Sequence, residues 1–79
     1  YRLCMQIRYT KHAIIEMYTQ GIHVSKIEDT LINGEKKLES KRQKKYRAVR
    51  QYWNEKIHVI FRIVNDHALF VITCKRIKL

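Results

Sequence analysis

Proline is absent from this chain of 79 residues, and glycine occurs only as Gly21 and Gly34. Two isolated glycines cannot build a phosphate-cradling loop, which needs several close together. Cysteine is limited to Cys4 and Cys74, too few for a disulfide framework and without the paired spacing of a zinc site. Both sit in apolar runs, so the expectation is two buried free thiols in a reducing compartment. The four histidines, His12, His23, His58 and His67, share no ligand spacing, so no metal and no other cofactor is expected. No apolar run reaches 18 residues, which excludes a helical membrane span. No signal peptide is visible, and the expected location is the cytoplasm. Internal repeats and low-complexity tracts are missing as well.

Acidic residues are the other scarcity. Seven Asp and Glu stand against 17 Lys and Arg, a net charge of +10. Few carboxylates argue against two-metal nuclease chemistry. The imbalance is uneven: residues 1–34 hold four basic and three acidic groups, and residues 35–79 hold thirteen and four. A field concentrated in this way attracts a polyanion by releasing its counterions. A membrane surface is the weaker alternative, because the basic residues follow a strand pattern and not one amphipathic helix.

What the sequence does contain is organised around Lys56 to Lys75. Ile57, Val59, Phe61 and Ile63 alternate with His58, Ile60, Arg62 and Val64, the period of a strand with one buried face. Ala68 to Thr73 is apolar throughout and reads as a mid-sheet strand covered on both faces. A tight turn at Asn65-Asp66 joins the two, since both residues tolerate left-handed backbone angles. His58 and Arg62 then look outward, away from the apolar face.

The preceding chain reads in order. Arg2 to Tyr9 is a short strand with Leu3, Met5 and Ile7 on one side. Thr10 caps a helix over Lys11 to Gln20, with Ala13, Ile14, Met17 and Tyr18 as its buried stripe and Gly21 as its left-handed end. Ser25 and Glu28 form a capping box for a second helix, about Lys26 to Asn33, with Ile27, Leu31 and Ile32 inward and Gly34 as its stop. Glu35 to Lys45 is a solvated basic connection or a ragged strand start. Tyr46 to Trp53 is a strand with Tyr46, Ala48, Arg50 and Tyr52 on one side and Arg47, Val49, Gln51 and Trp53 on the other; Asn54-Glu55 turns it into the hairpin. The expected fold is a single α+β domain, β-α-α-β-β-β, with an antiparallel meander and a two-helix hairpin packed on one face.

That order, the basic connection and the ending Phe70-Val71-Ile72-Thr73-Cys74-Lys75-Arg76 resemble the RelE/ParE-like toxins, small basic members of toxin–antitoxin pairs. Tyr9-Thr10-Lys11-His12-Ala13, followed by Met17 and Gly21-Ile22, resembles an uncharacterised branch that opens with His-Ala-x-x-Arg-Met, and more loosely the BrnT toxins. Glu16 stands where that Arg is usual. The resemblance implies cutting of messenger RNA on the ribosome without a metal, and an acidic antitoxin as partner. It places Tyr46-Arg47 where RelE-like toxins carry Tyr-Lys, His58 where they carry a basic residue early in the next strand, and Lys75-Arg76 where they carry Lys-Arg after the last strand. A C-terminal segment with a functional Tyr in RelE has no counterpart after Leu79. ParE-like members share the fold and act on gyrase, so a binding module without catalysis is the alternative.

The chemistry of such a site needs a base for the 2′-hydroxyl, cations for the phosphorane and a proton for the leaving oxygen. Arg47 and Arg76 suit a bidentate grip on phosphate. His58 is the best acid or base, and neighbouring arginines are expected to keep it neutral. His12, in the first turn of the first helix, is a second titrating group or an RNA contact. Lys44, Lys45, Arg50, Arg62 and Lys75 are expected to hold the RNA, with Lys36, Lys37, Lys41 and Arg42 tracking its backbone. Tyr46, Tyr52 and Trp53 are candidates for stacking on bases.

Overall fold

Alternation in the central strands sorts the side chains into one dry face and one open face. The computed structural model describes residues 6–79. Its elements are β1 (Gln6–Tyr9), α1 (Lys11–Gln20), α2 (Val24–Asn33), β2 (Glu35–Ser40), β3 (Lys45–Gln51), β4 (Glu55–Asn65) and β5 (Ala68–Lys78). The strands form one sheet in the order β1-β5-β4-β3-β2. β3 to β5 form the expected antiparallel meander, β2 extends it by one antiparallel strand that was not expected, and β1 joins parallel to β5. The α+β class, with both helices on one face, is as the sequence led one to expect.

Ile57 and Val59 are fully buried, with Ala48 and Cys74 opposite Val59 on the flanking strands. Phe61, Leu69 and Val71 extend this core, and the helices close it with Ala13, Ile22, Ile27 and Leu31. Thr10 caps α1: its Oγ1 accepts from Ala13 N–H at 3.1 Å and donates to the Ile72 carbonyl at 2.8 Å. Gly21 ends α1 at φ 67°, a region that penalises a Cβ, and Ile22 N–H returns to the Met17 carbonyl. Gly34 is needed for a different reason. Its φ is an ordinary −76°, but a Cβ there would overlap the Thr30 carbonyl oxygen and lie 2.8 Å from that of Val49.

Several local expectations change. Met5 and the residues before it, including Cys4 and the start of the first strand, lie outside the described residues. α1 runs along the edge of β5, so only Ala13 and Met17 of its stripe turn inward; Ile14 and Tyr18 are 56% and 90% exposed. α2 begins at Val24 and not after Ser25. The Ile22 closure leaves His23 extended, and the His23 ring accepts from Ser25 N–H at 3.1 Å, taking the role assigned to the capping box. Buried Thr30 replaces Ile32 on the inward stripe and satisfies its hydroxyl on the Lys26 carbonyl.

The basic stretch after Gly34 forms the edge strand β2, followed by a turn over residues 41–44. An edge strand gains its order from backbone pairing with β3, so it shows no apolar alternation, and its lysines discourage pairing with other chains. The central turn is Asp66-His67, flanked by Asn65 paired with Ala68. The Asn65 side chain accepts from His67 N–H at 2.7 Å, and no left-handed angle is used there. Irregular pairing between Ile63 and Asn65 frees Ile63 from the core. β5 lies inside the sheet, between β1 and β4, only as far as Val71, is covered on one face and not on both as expected, and continues through Lys75 and Arg76 to Lys78. The thiol of Cys74 is buried and free, and burial pushes its pKa up to about 11, which makes it a poor nucleophile.

Glu55 opens β4 and does not belong to the turn before it. Its carboxylate is 2% exposed on the dry face, where it binds Lys26 of α2 and Arg76 Nε of β5, the latter at 2.6 Å. Glu55→Ala is expected to cost about 3 kcal/mol in a urea melt, because it leaves two cations facing a low-dielectric site. The figure sits at the lower end because both cations keep some solvent. Gly34→Ala is expected to destabilise more than Gly21→Ala, whose cost is about 1 kcal/mol, since a backbone clash is harder to relieve than an unfavourable φ. Comparing the two urea midpoints tests this.

Candidate nucleic-acid interface

The face of the sheet opposite the helices carries the outward members of each strand. Register aligns them in rows across the sheet. Val49, His58 and Lys75 form one row, Arg47, Ile60 and Thr73 the next, and Lys45, Arg62 and Phe70 a third. Glu16 and Gln20 reach this face from α1, because α1 lies against the stretch of β5 that β1 leaves unpaired. Gln20 amide donates to the Cys74 carbonyl at 3.2 Å and its oxygen accepts from Arg76 N–H at 2.8 Å. The same amide donates to Glu16 Oε1 at 2.6 Å, fixing that carboxylate. Together Glu16, Gln20, Arg47, His58, Thr73 and Lys75 line an open cleft of about 450 Å³.

Arg47 organises the cleft. Its Nη2 donates to Glu39 of β2 at 2.6 Å and its Nη1 lies 2.9 Å from His58 Nδ1. A guanidinium only donates, so Nδ1 accepts, and the imidazole is neutral with its proton on Nε2. Burial lowers the His58 pKa, and the charges of Arg47, Lys56 and Lys75 lower it further. The neutral state expected from arginine crowding is therefore reached mainly through desolvation. Arg47 in turn holds the Glu39 carboxyl below its ordinary range.

The structure divides the other residues singled out in the sequence. Lys75 joins Arg47 and His58 in the cleft, and Lys44, Lys45 and Arg62 line a neighbouring hollow on the same face. Arg76 does not join them. It alternates to the dry face, pairs with Glu55, and donates from Nη1 to the Gln20 carbonyl at 3.1 Å. Arg50 is likewise on the dry face, 2.8 Å from Asp29 and over the Tyr52 ring. Both are therefore placed as structural cations. His12 is exposed in the first turn of α1, one helical turn before Glu16 and outside the cleft. Tyr46 stacks on Phe61 and Tyr52 donates to Asp29, so of the three aromatic candidates only Trp53, 92% exposed, is free.

Glu16 and Gln20 escaped the sequence reading as members of the site. The departure from the His-Ala-x-x-Arg-Met pattern marked Glu16, but only the seating of α1 on β5 brings it to the wall of the cleft that His58 also lines. Among the described residues no group of three or more His, Cys, Asp or Glu is placed to hold a metal ion, and no helix is long and apolar enough to cross a membrane.

His58 binds its proton less readily when folded than when unfolded. The stability contributed by its neutral form is complete above the ordinary value of 6.5 and is lost as pH falls through the lower folded value. Wild type is expected to lose more stability than His58→Gln between pH 7.5 and 5, read as the shift in urea midpoint. In an NMR titration, Arg47→Ala is expected to move the His58 midpoint upward.

No curated protein and no solved structure is significantly similar to the chain. A family model does match, over residues 9–75, from the end of β1 to the last third of β5. With most of its length matched, this chain belongs to the family described as domain of unknown function DUF4258.

Proposed function

We propose that the protein is a cytoplasmic toxin of the RelE/ParE-like kind that cleaves RNA at the cleft around His58 without a metal. The observation that carries this reading is the Arg47–His58 contact on an open, cationic sheet face, with Lys75 opposite His58 and Glu16 alongside. A phosphodiester that enters the cleft competes for the Arg47 guanidinium, which prefers two phosphate oxygens to one imidazole nitrogen. Arg47 then turns to the phosphate and frees Nδ1. His58 takes the proton of the 2′-hydroxyl, and the 2′-oxygen attacks the adjacent phosphorus. Arg47 and Lys75 stabilise the growing charge. The bond from phosphorus to the 5′-oxygen breaks, and Lys75 supplies that oxygen with a proton. The products are a 2′,3′-cyclic phosphate and a 5′-hydroxyl. A face of this charge also needs masking while the protein is stored, which an acidic antitoxin would provide.

The second reading is a binding module of the same fold, for RNA or for a protein, without catalysis. It is favoured by the way Arg47 is already satisfied by Glu39 and His58.

A cleavage assay on mixed-sequence RNA in EDTA, with and without ribosomes, separates the two. Cutting that falls about 10²-fold in Arg47→Ala and 10²-fold or more in His58→Ala supports the toxin reading. Arg76→Ala is expected to lower the urea midpoint while cutting persists at temperatures where the variant stays folded. Tight, salt-sensitive binding with no cut product in either condition moves the assignment to the binding module.

A further inference from the structure

Beside the cleft, the open face has a second hollow of about 680 Å³. Its walls include Phe70, Ile72 and Val64, and its cationic rim is formed by Lys44, Lys45 and Arg62. Strand register sharpens the picture. Phe70 of β5 stands between Arg62 of β4 and Arg8 of β1, and Arg62 is opposite Lys45 of β3. One row across four strands therefore reads cation, cation, aromatic, cation. Phe70 is half-buried on the face that no helix covers. Its ring adds nothing to the core, which is built from the alternate residues Leu69 and Val71. Among the described residues, Lys45 and Arg62 form no ion pair with a carboxylate. Lys44 is the one non-glycine residue described with a left-handed backbone, φ 54°, and its turn delivers it to the rim.

We infer that this hollow is a base-binding subsite for single-stranded RNA, in which one nucleobase stacks on Phe70 while Arg8 and Arg62 hold the phosphates on either side. This rests on the reading of the open face as an RNA surface and extends it to base contact. An apolar ring set among cations matches the two parts of a nucleotide, a π-face and a charged backbone. A duplex presents no unstacked base to such a ring, so the subsite selects single strands. Arg62 lies four residues along β4 from His58, about 13 Å at ~3.3 Å per residue. A base held at Phe70 thus anchors the strand a short way from the bond held in the cleft and sets which bond is presented there.

The test measures binding of a labelled 2′-O-methyl RNA octamer, which cannot be cut by 2′-oxygen attack, and of an abasic octamer of equal charge. The wild type is expected to bind the octamer with bases about tenfold or more tightly than the abasic one. Phe70→Ala and Phe70→Leu are both expected to remove that preference while leaving abasic affinity unchanged, whereas Phe70→Tyr keeps it. Arg62→Ala is expected to weaken both octamers. Urea midpoints establish that each variant is folded. Equal binding of the two octamers by wild type, or a base preference that survives in Phe70→Ala and Phe70→Leu, overturns the subsite while the charged RNA surface stands. Failure of wild type to bind either octamer overturns the RNA reading itself and the subsite with it.

Discussion

The free edge of β5 is the constraint on which the rest of the molecule turns. β1 pairs with β5 only as far as Val71. Beyond it, the carbonyls of Ile72 and Cys74 and the N–H of Arg76 need partners, because unpaired backbone groups in a partly buried site are costly. α1 supplies them from its two ends, through Thr10 and Gln20. This seating ties the helix to an edge and not to the middle of the sheet. It explains why Ile14 and Tyr18 are left outside the core, and it brings Glu16 to the cleft on the open face.

Charge is divided by the same geometry. On the dry face, cations are matched: Lys26 and Arg76 by Glu55, Arg50 by Asp29. Two of these pairs hold α2 to the sheet, Lys26 to Glu55 and Asp29 to Arg50, and the third ties β5 to β4. On the open face Arg47 has Glu39, while Lys45, Arg62 and Lys75 are placed without a carboxylate among the described residues. The excess of positive charge is therefore directional. A basic composition alone attracts any polyanion, and the aromatic residue set among the cations of these rows is what the proposed single-strand subsite rests on.

His58 shows how environment converts a common residue into a specific one. In an exposed strand an imidazole titrates near its ordinary value and points nowhere in particular. Here desolvation and Arg47 keep it neutral, and the guanidinium fixes its tautomer. The same contact makes the base unavailable until Arg47 finds a better acceptor. In the proposed mechanism, binding of an anion and release of the base become one event.

The sequence by itself determined the alternation that separates the two faces, the Thr10 and Gly21 limits of α1, the hairpin pair at the centre and the outward placement of His58 and Arg62. These depend on local rules, namely a period of two, capping and backbone preference, that act over a few residues. It also carried the charge excess and its concentration after Gly34. Only the tertiary structure decided that the basic stretch would become a fifth strand, that His23 would cap α2, and that Arg50 and Arg76 would be consumed by Asp29 and the buried Glu55. The same holds for the meeting of Glu16 and Gln20 with the site. The physical reason is that an edge strand, an ion pair and an edge-bound helix are fixed by partners distant in the chain. No periodicity in their own neighbourhood records those partners.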